Sequence, residues 1–178
     1  MTEGSELSKS GPGGVHMAVD MFLRIDNVTG ESGDASHKDE IEVISFSWAA
    51  TQTGTSASGG GSGAGKVSIS DIEIRKRTDR ASPVLYQFCC TGQHIAKADL
   101  TIRKAGGEQL EYLKIHLEDL IISSFFMGGR FADEQVEEAI RINFTRSAVT
   151  YSPQTGDGAG AAVVSGGYDT KANKTFSQ

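Results

Sequence analysis

The chain has 178 residues, of which 38% are hydrophobic and 22 are glycine, and its formal net charge at pH 7 is −6. This length and apolar content suffice for a domain with a packed core and argue against a disordered chain. The acidic balance argues against nucleic-acid binding as the main role, and no apolar run approaches the ~18 residues of a membrane span, so we expect no nucleic-acid partner and no membrane insertion.

The start of the chain differs from the rest in composition. Residues 1–16 lack hydrophobic periodicity, contain a Gly-Pro-Gly-Gly cluster and have no apolar segment typical of a secretory signal peptide. We interpret them as a disordered leader added for expression, followed by a single β-barrel domain over residues 17–178. The two cysteines, Cys89 and Cys90, are neighbours in sequence, and such pairs rarely form a disulfide, which fits folding in a reducing cytoplasm.

Alternating apolar residues predict the first two strands. Residues 18–25 predict one strand, because four apolar side chains alternate along it: Val19, Met21, Leu23 and Ile25. Residues 41–50 predict the next, with three large side chains on its core face: Ile44, Phe46 and Trp48. The opposite face of this strand carries the small hydroxyl side chains of Ser45 and Ser47, so it should meet water or a cavity.

A loop rich in Gly, Ser and Ala follows at residues 51–65 and cannot bury enough apolar surface to order by itself. The sequence at the end of this loop nearly matches the pattern of a phosphate-binding loop. However, Val67 replaces the residue whose hydroxyl would bind Mg²⁺, and the following residues alternate as in a strand. We therefore interpret the loop as a linker or as an arm that orders against a neighbouring molecule. Near Asp71 the alternation of the next strand shifts by one residue, which predicts a β-bulge.

One short helix is predicted over about Ser82–Thr91. Ser82 would be the N-cap, Pro83 the first helical residue and Gly92 the C-cap. An apolar face is formed by three side chains at helical spacing: Leu85, Phe88 and Cys89. Because the helix is short, packing must hold it, and we expect it to cover a barrel end or a sheet edge.

The remaining chain again has the period of β-strands. Residues 98–104 and 112–120 predict a hairpin around a Gly-Gly turn, and a later strand runs to residue 151 with Ile140, Ile142 and Phe144 inward. A Gly/Ala loop at residues 156–162 precedes a last strand over residues 163–171. About seven or eight strands without a βαβ rhythm predict a mainly β fold, a compact antiparallel β-barrel or two-sheet sandwich with one helix.

The sequence shows no catalytic constellation. Cys89, Cys90 and His94 are close in sequence but would point in different directions, which is poor geometry for a metal site. His37 and His116 have no serine or cysteine nucleophile in a recognisable context. We therefore expect no enzymatic activity and no cofactor.

Several short segments lie in an order typical of one known family: MAVDMFL, GES, SFSW, GKV, SPVL, LTIRKAGGE and GYDTKAN. Together, over residues 17–173, they resemble the Hcp family (haemolysin-coregulated proteins), the inner-tube subunits of the bacterial type VI secretion system. The leader departs from the family pattern. The resemblance implies a non-enzymatic β-barrel that forms six-membered rings, which stack into an expelled tube and carry small effectors in the channel.

The resemblance also implies partners and a location. The partners would be other copies in hexameric rings and stacks, a VgrG-type spike protein, the contractile sheath and small effector proteins. The protein would occur in the bacterial cytoplasm and be secreted by the type VI system without a Sec signal peptide.

Two groups of residues are candidates for these contacts. Ser45 and Ser47 are predicted to line the channel and contact cargo, because small uncharged side chains let varied cargo pass. The glycine-rich loop is the predicted ring-stacking element, with residues 156–162 as a lesser contact; its candidate residues are Gln52, Thr53, Gly54, Gly59, Gly60, Gly61 and Gly63. A salt-sensitive contact between rings is also predicted, from acidic loops at residues 31–42 and 133–138 and from basic positions: Arg75, Lys76, Arg77, Arg80, Arg103 and Lys104.

Other functions predict different observations. A phage-type tail-tube protein would share the fold and differ in its partners. A monomeric β-barrel ligand carrier would have an apolar interior pocket and remain a monomer in solution. A hydrolase would lose its activity when His116 or Cys90 is replaced.

Overall fold

The computed structural model describes residues 19–52, 66–105, 109–130, 135–153 and 162–177, so the predicted leader and the Gly-Gly turn lie outside the described residues. These ranges contain ten strands and one helix. In chain order they are β1 (Val19–Ile25), β2 (Ile41–Ser47), β3 (Ala50–Thr51), β4 (Ser68–Ile69), β5 (Ile72–Arg77), α1 (Ser82–Thr91), β6 (Ile95–Lys104), β7 (Glu111–Gly128), β8 (Glu137–Tyr151), β9 (Val164–Asp169) and β10 (Lys174–Phe176).

Six of these strands close into an antiparallel barrel. Their order around the barrel is β8-β5-β2-β1-β6-β7, and β7 pairs back onto β8. The first half of β8 pairs with β5 and its second half pairs with β9, which carries β10 on its outer side. Strands β3 and β4 form a separate two-stranded sheet. The predicted mainly β fold with one helix is confirmed.

The barrel interior is filled by aliphatic side chains. Ile72, Ile74, Ile140 and Ile142 are each 0% exposed, and Phe144 is buried beside them. Burying a side chain of this size stabilises the fold by about 1.5–3 kcal/mol. The inward orientation predicted for Ile140, Ile142 and Phe144 is confirmed, and the filled interior does not fit a ligand carrier with an apolar interior pocket.

Strand β2 differs from its predicted pattern. Ile41 and Val43 are in the core, whereas Ile44 is 44% exposed, so the prediction that Ile44 faces the core is wrong. The reason is a β-bulge between Val43 and Ser45 in the pairing with β5, which shifts the alternation by one residue. After the bulge, Phe46 packs against the core as predicted.

The phase shift near Asp71 has another cause than the predicted bulge. The chain breaks there into two strands, with β4 paired to β3 and β5 paired to β2 and β8. The predicted last strand is also shorter than expected, because the chain turns after β9 and returns as β10.

Helix α1 has the predicted bounds but a different N-terminus. The N-cap is Ala81, which makes no side-chain cap, so the prediction that Ser82 caps the helix is wrong. The Ser82 hydroxyl instead donates to Glu138 Oε2 at 2.8 Å and accepts from Lys76 Nζ at 3.0 Å. The predicted C-cap is confirmed, since Gly92 has φ +64° and donates its N–H to the Phe88 carbonyl.

Candidate functional site

The barrel has one side on which four adjacent strands, β2, β5, β8 and β7, point side chains outward, most of them polar. Alternation along each strand sends Ile72 and Ile74 into the core and their neighbours to this outer side. We call it the serine face and define it by eight residues: Ser45, Ser47, Glu73, Arg75, Arg77, Phe126, Ala139 and Arg141. Strand pairing aligns them in rows: Ser47 is opposite Glu73, and Glu73 is opposite Arg141.

The two serines lie where the sequence predicted, opposite the large side chains of β2. Ser47 is exposed and Ser45 half-buried, while Trp48 packs against the core. An edge-on contact between Trp48 and Phe144, with ring centroids 5.8 Å apart, fixes the end of β2. Ser47 therefore has a defined orientation and lines a cleft of about 450 Å³.

The charged side chains around Ser47 have hydrogen-bond partners within the subunit. Arg141 donates from Nε and Nη2 to Glu73 Oε2 at 3.1 and 3.0 Å. Beside them, Asn143 donates to Asp71 Oδ1 at 2.7 Å, and the Ser123 hydroxyl donates to the other oxygen of Asp71. This end of the serine face thus offers small hydroxyls, one Arg–Glu ion pair and a carboxylate whose oxygens accept from neutral donors.

The structure describes little of the predicted ring-stacking element. Gln52 is exposed at the end of β3 and lines a groove of about 540 Å³ together with Trp48 and Gly166. The other candidates lie outside the described residues: Thr53, Gly54, Gly59, Gly60, Gly61 and Gly63. The same holds for residues 156–161 of the lesser contact.

Two of the predicted surface cations are buried, which corrects the prediction that they contribute to a contact between rings. Lys76 is 0% exposed, and its Nζ lies 2.9 Å from Glu138 Oε2 and 2.8 Å from Asp79 Oδ1. Arg103 is 3% exposed and forms ion pairs with Asp34 at 2.6 Å and Asp20 at 3.0 Å. Both charges are neutralised inside the subunit, so neither is free to attract another ring.

The Arg103 cluster shifts the titration of its members. The Arg103 guanidinium, helped by the backbone N–H of Ser36, lowers the pKa of Asp34 to about 2. The same hydrogen bond to Asp34 raises the pKa of Arg103 above its usual value. Because Asp34 belongs to the loop between β1 and β2, the cluster ties that loop to β6.

The two buried histidines have structural partners. His37 stacks on Phe22 with ring centroids 4.3 Å apart, and its Nδ1 lies 2.9 Å from Glu40. His116 lies between the carboxylates of Asp99 and Glu118. In the ranges that the structure describes, no group of three or more His, Cys, Asp or Glu side chains could hold a metal ion, and no helix is long and apolar enough to cross a membrane.

Comparison with known proteins gives consistent matches. Residues 22–151 match the family model described as "Type VI secretion system effector, Hcp". The chain is 47% identical over 144 residues to the protein named hcp1 of Pseudomonas aeruginosa. The aligned region covers 80% of this chain and 89% of that protein.

Solved structures match over most of the chain as well. Hcp1 from Salmonella typhimurium is 37% identical with a TM-score of 0.73, covering 90% of this chain and 100% of that one. A second structure, described as a type six secretion system protein, is 28% identical with a TM-score of 0.83 and covers 89% of this chain and 100% of that one. A type VI secretion system effector from Yersinia pestis is 36% identical with a TM-score of 0.70, covering 84% of this chain and 99% of that one.

Proposed function

Because this chain belongs to the Hcp family of type VI secretion system proteins, we propose that it is a tube subunit whose serine face lines the channel. Proteins of this family form rings in type VI secretion tubes and are secreted by that system. In this proposal, six copies form a ring, rings stack into a tube, and the tube is expelled with small effector proteins in its channel. The protein would act without catalysis.

The orientation of Ser47 is the observation that carries the channel assignment. Its side chain is exposed on a face of four paired strands, whereas the aliphatic side chains of the same strands fill the barrel. A channel wall must be rigid and must not bind every passing protein tightly. A closed barrel supplies the rigidity, and small hydroxyls beside charges that already have partners within the subunit supply the weak interaction.

The other partners of the proposed tube follow from the same family membership. We propose that the stacked rings contact a VgrG-type spike protein at one end and a contractile sheath on the outside. Before secretion, the protein would reside in the bacterial cytoplasm.

The ring is tested by the mass of the purified protein in solution, measured by light scattering and followed by negative-stain imaging. We expect ring particles at six times the 18.9 kDa mass of the chain. The same measurement after removal of residues 1–16 is the control for interference by the predicted leader. A protein that remains monomeric at high concentration in both forms would contradict the proposed function.

The channel assignment is tested by Ser47→Gln, which places a longer polar side chain on the lining of the cleft beside β2. We expect retention of a co-expressed effector to fall while the mass of the ring is unchanged. Ser36→Gln is the matched control, because Ser36 is also exposed but lies in the loop between β1 and β2. Equal effector retention in the wild type and in Ser47→Gln would remove Ser47 from the channel.

The stacking element is tested by replacing residues 59–63 with bulky residues. We propose that these glycines contact the next ring, so rings should form at normal mass while tubes become shorter or absent in negative stain. Tubes of normal length and number would show that another segment joins the rings.

A further inference from the structure

We propose that the end of the serine face away from Ser47 is a docking site for an acidic segment of a cargo polypeptide that also carries an aromatic or aliphatic side chain. That the bound polypeptide is cargo rests on the proposed function. The existence of the docking site rests on the charges and the exposed apolar surface at this end of the face.

The docking site is a cleft of about 840 Å³ beside the ends of β5, β7 and β8. Arg75 and Arg77 line it from β5, Arg130 lines it from the end of β7, and Phe126 forms an apolar wall. Strand pairing places Phe126 opposite Ala139, so a small side chain leaves the aromatic ring open to the cleft. The cleft can therefore accept an extended peptide whose side chains differ in character.

Among the described residues, the lining of the cleft is positively charged, although the chain as a whole is acidic. Three of its lining residues are arginines, and Glu137 is the exposed carboxylate among them. Arg75 Nε lies 3.4 Å from Glu73 Oε1, and Glu73 also forms an ion pair with Arg141. Within the described ranges, no carboxylate forms an ion pair with Arg77 or Arg130. Their guanidinium groups are available to bind carboxylates in a bidentate manner.

The apolar part of the cleft is unusually open for a folded protein. Phe126, which lines the cleft, is 65% exposed. Aromatic and Arg side chains, which both line this cleft, are residue types enriched at the centres of protein interfaces. An acidic segment with one apolar side chain would match both the guanidinium groups and the ring.

The docking site is continuous with the channel wall. Ser47 pairs with Glu73, and Arg75 and Arg77 follow Glu73 on the same side of β5. From Glu73 to Arg77 the strand rises about 13 Å, so an extended segment of about four residues spans the distance. A polypeptide that passes over Ser47 would therefore reach the arginines without leaving the face.

The test uses the full chain and two fluorescent peptides of equal length, one rich in Glu and Asp with a single Phe, the other with Lys at the acidic positions. Binding is measured by fluorescence anisotropy at low and at high salt, and the mass of each protein is measured by light scattering. The variant Arg77→Glu/Arg130→Glu reverses the charges of two arginines that line the cleft. Its matched control is Lys38→Glu/Lys171→Glu, which makes the same change in net charge at exposed positions away from the face.

We expect the acidic peptide to bind the wild type and the control, with an affinity that falls as salt rises. In Arg77→Glu/Arg130→Glu the affinity should fall roughly tenfold or more, because two attractions become repulsions. Phe126→Ser should weaken binding while leaving the salt dependence unchanged. The basic peptide should not bind.

Three results would overturn the proposal: equal binding of the two peptides, unchanged binding of the acidic peptide to the Arg77→Glu/Arg130→Glu variant, or loss of ring mass in that variant with no peptide binding to the wild type. The last result would assign this surface to a contact between copies of the chain. A wild type that is monomeric and still binds the acidic peptide would contradict the ring and leave the docking site standing.

Discussion

Replacing Glu138 with alanine should destabilise the fold by roughly 3–5 kcal/mol, because it leaves the ammonium group of Lys76 buried without its main partner. Both side chains are 0% exposed, and Nζ of Lys76 lies 2.9 Å from Oε2 of Glu138. Oε1 of Glu138 also accepts from Thr78 at 3.0 Å, and Oε2 accepts from Ser82 at 2.8 Å. The substitution thus removes three hydrogen bonds at the point where β8, β5 and the start of α1 meet.

The lower end of that range is the expected value, since Lys76 keeps some partners. Its Nζ still lies 2.8 Å from Asp79 and donates to the Arg77 carbonyl at 2.7 Å. In contrast, Lys76→Met/Glu138→Leu removes both charges of this pair and fills most of the volume. It should therefore cost less than Glu138→Ala, although Asp79, whose side chain is 11% exposed, loses its ammonium partner.

The assay is urea unfolding of the wild type, Glu138→Ala, Lys76→Met, Glu138→Leu and Lys76→Met/Glu138→Leu. The wild type and the last three variants form a double-mutant cycle. Arg24→Ala is the control, because the Arg24–Asp99 pair has a similar distance of 3.0 Å but Arg24 is 55% exposed, which limits its contribution to about 1 kcal/mol. If Glu138→Ala costs no more than Arg24→Ala, then the buried ion pair does not hold the helix to the barrel, and the reasoning is refuted.

Two further predictions concern the loop after β1 and the strand β9. Because Arg103 lowers the folded-state pKa of Asp34 to about 2, the contribution of Asp34 to stability is complete above its ordinary value of 3.8 and is lost as the pH falls through the folded value. In urea unfolding, the difference in free energy of unfolding between the wild type and Asp34→Asn should therefore be constant near neutral pH and shrink between about pH 4 and pH 2. A difference that does not depend on pH would contradict the assignment. In Gly167→Ala, the new Cβ would lie 2.6 Å from carbonyl oxygens on both neighbouring strands, which should cost roughly 1–3 kcal/mol in thermal or urea unfolding. The matched control is Gly166→Ala, whose Cβ would have no atom within 4 Å. Equal losses of stability in the two variants would show that crowding of the new Cβ does not cause the loss.

Local pattern predicted the strands and the helix bounds well, and failed where long-range contacts change the pattern. Alternation correctly placed Ile140 and Ile142 in the core, because a strand between two partners keeps its period. Ile44 was misplaced, since the bulge that exposes it depends on the pairing of β2 with β5. Lys76 and Arg103 were predicted to be surface cations, because their burial depends on carboxylates that are far away in sequence.

The candidate site was predictable in part for the same reason. The orientation of Ser47 follows from its own strand, where Phe46 and Trp48 determine which side is buried. The cleft at Arg77 and Phe126 could not be predicted, since it requires the register of β5 on β8 and of β7 on β8. The expectation of a ring came from the resemblance to a family, because the sequence pattern of one subunit does not predict its assembly.

The position of β8 in the barrel has a consequence for how the protein is made. This strand pairs with β5, β7 and β9, yet its first residue is number 137, so the ribosome releases it late. At typical rates of synthesis, roughly 6–25 s pass between the completion of β1 and that of β8, and during this time several apolar strands are without the closed barrel that buries them. Such pairing of distant segments is slow as well. Newly made chains are therefore exposed to aggregation before closure, and a chaperone that binds the nascent chain should raise the yield of folded protein more than one that acts after release.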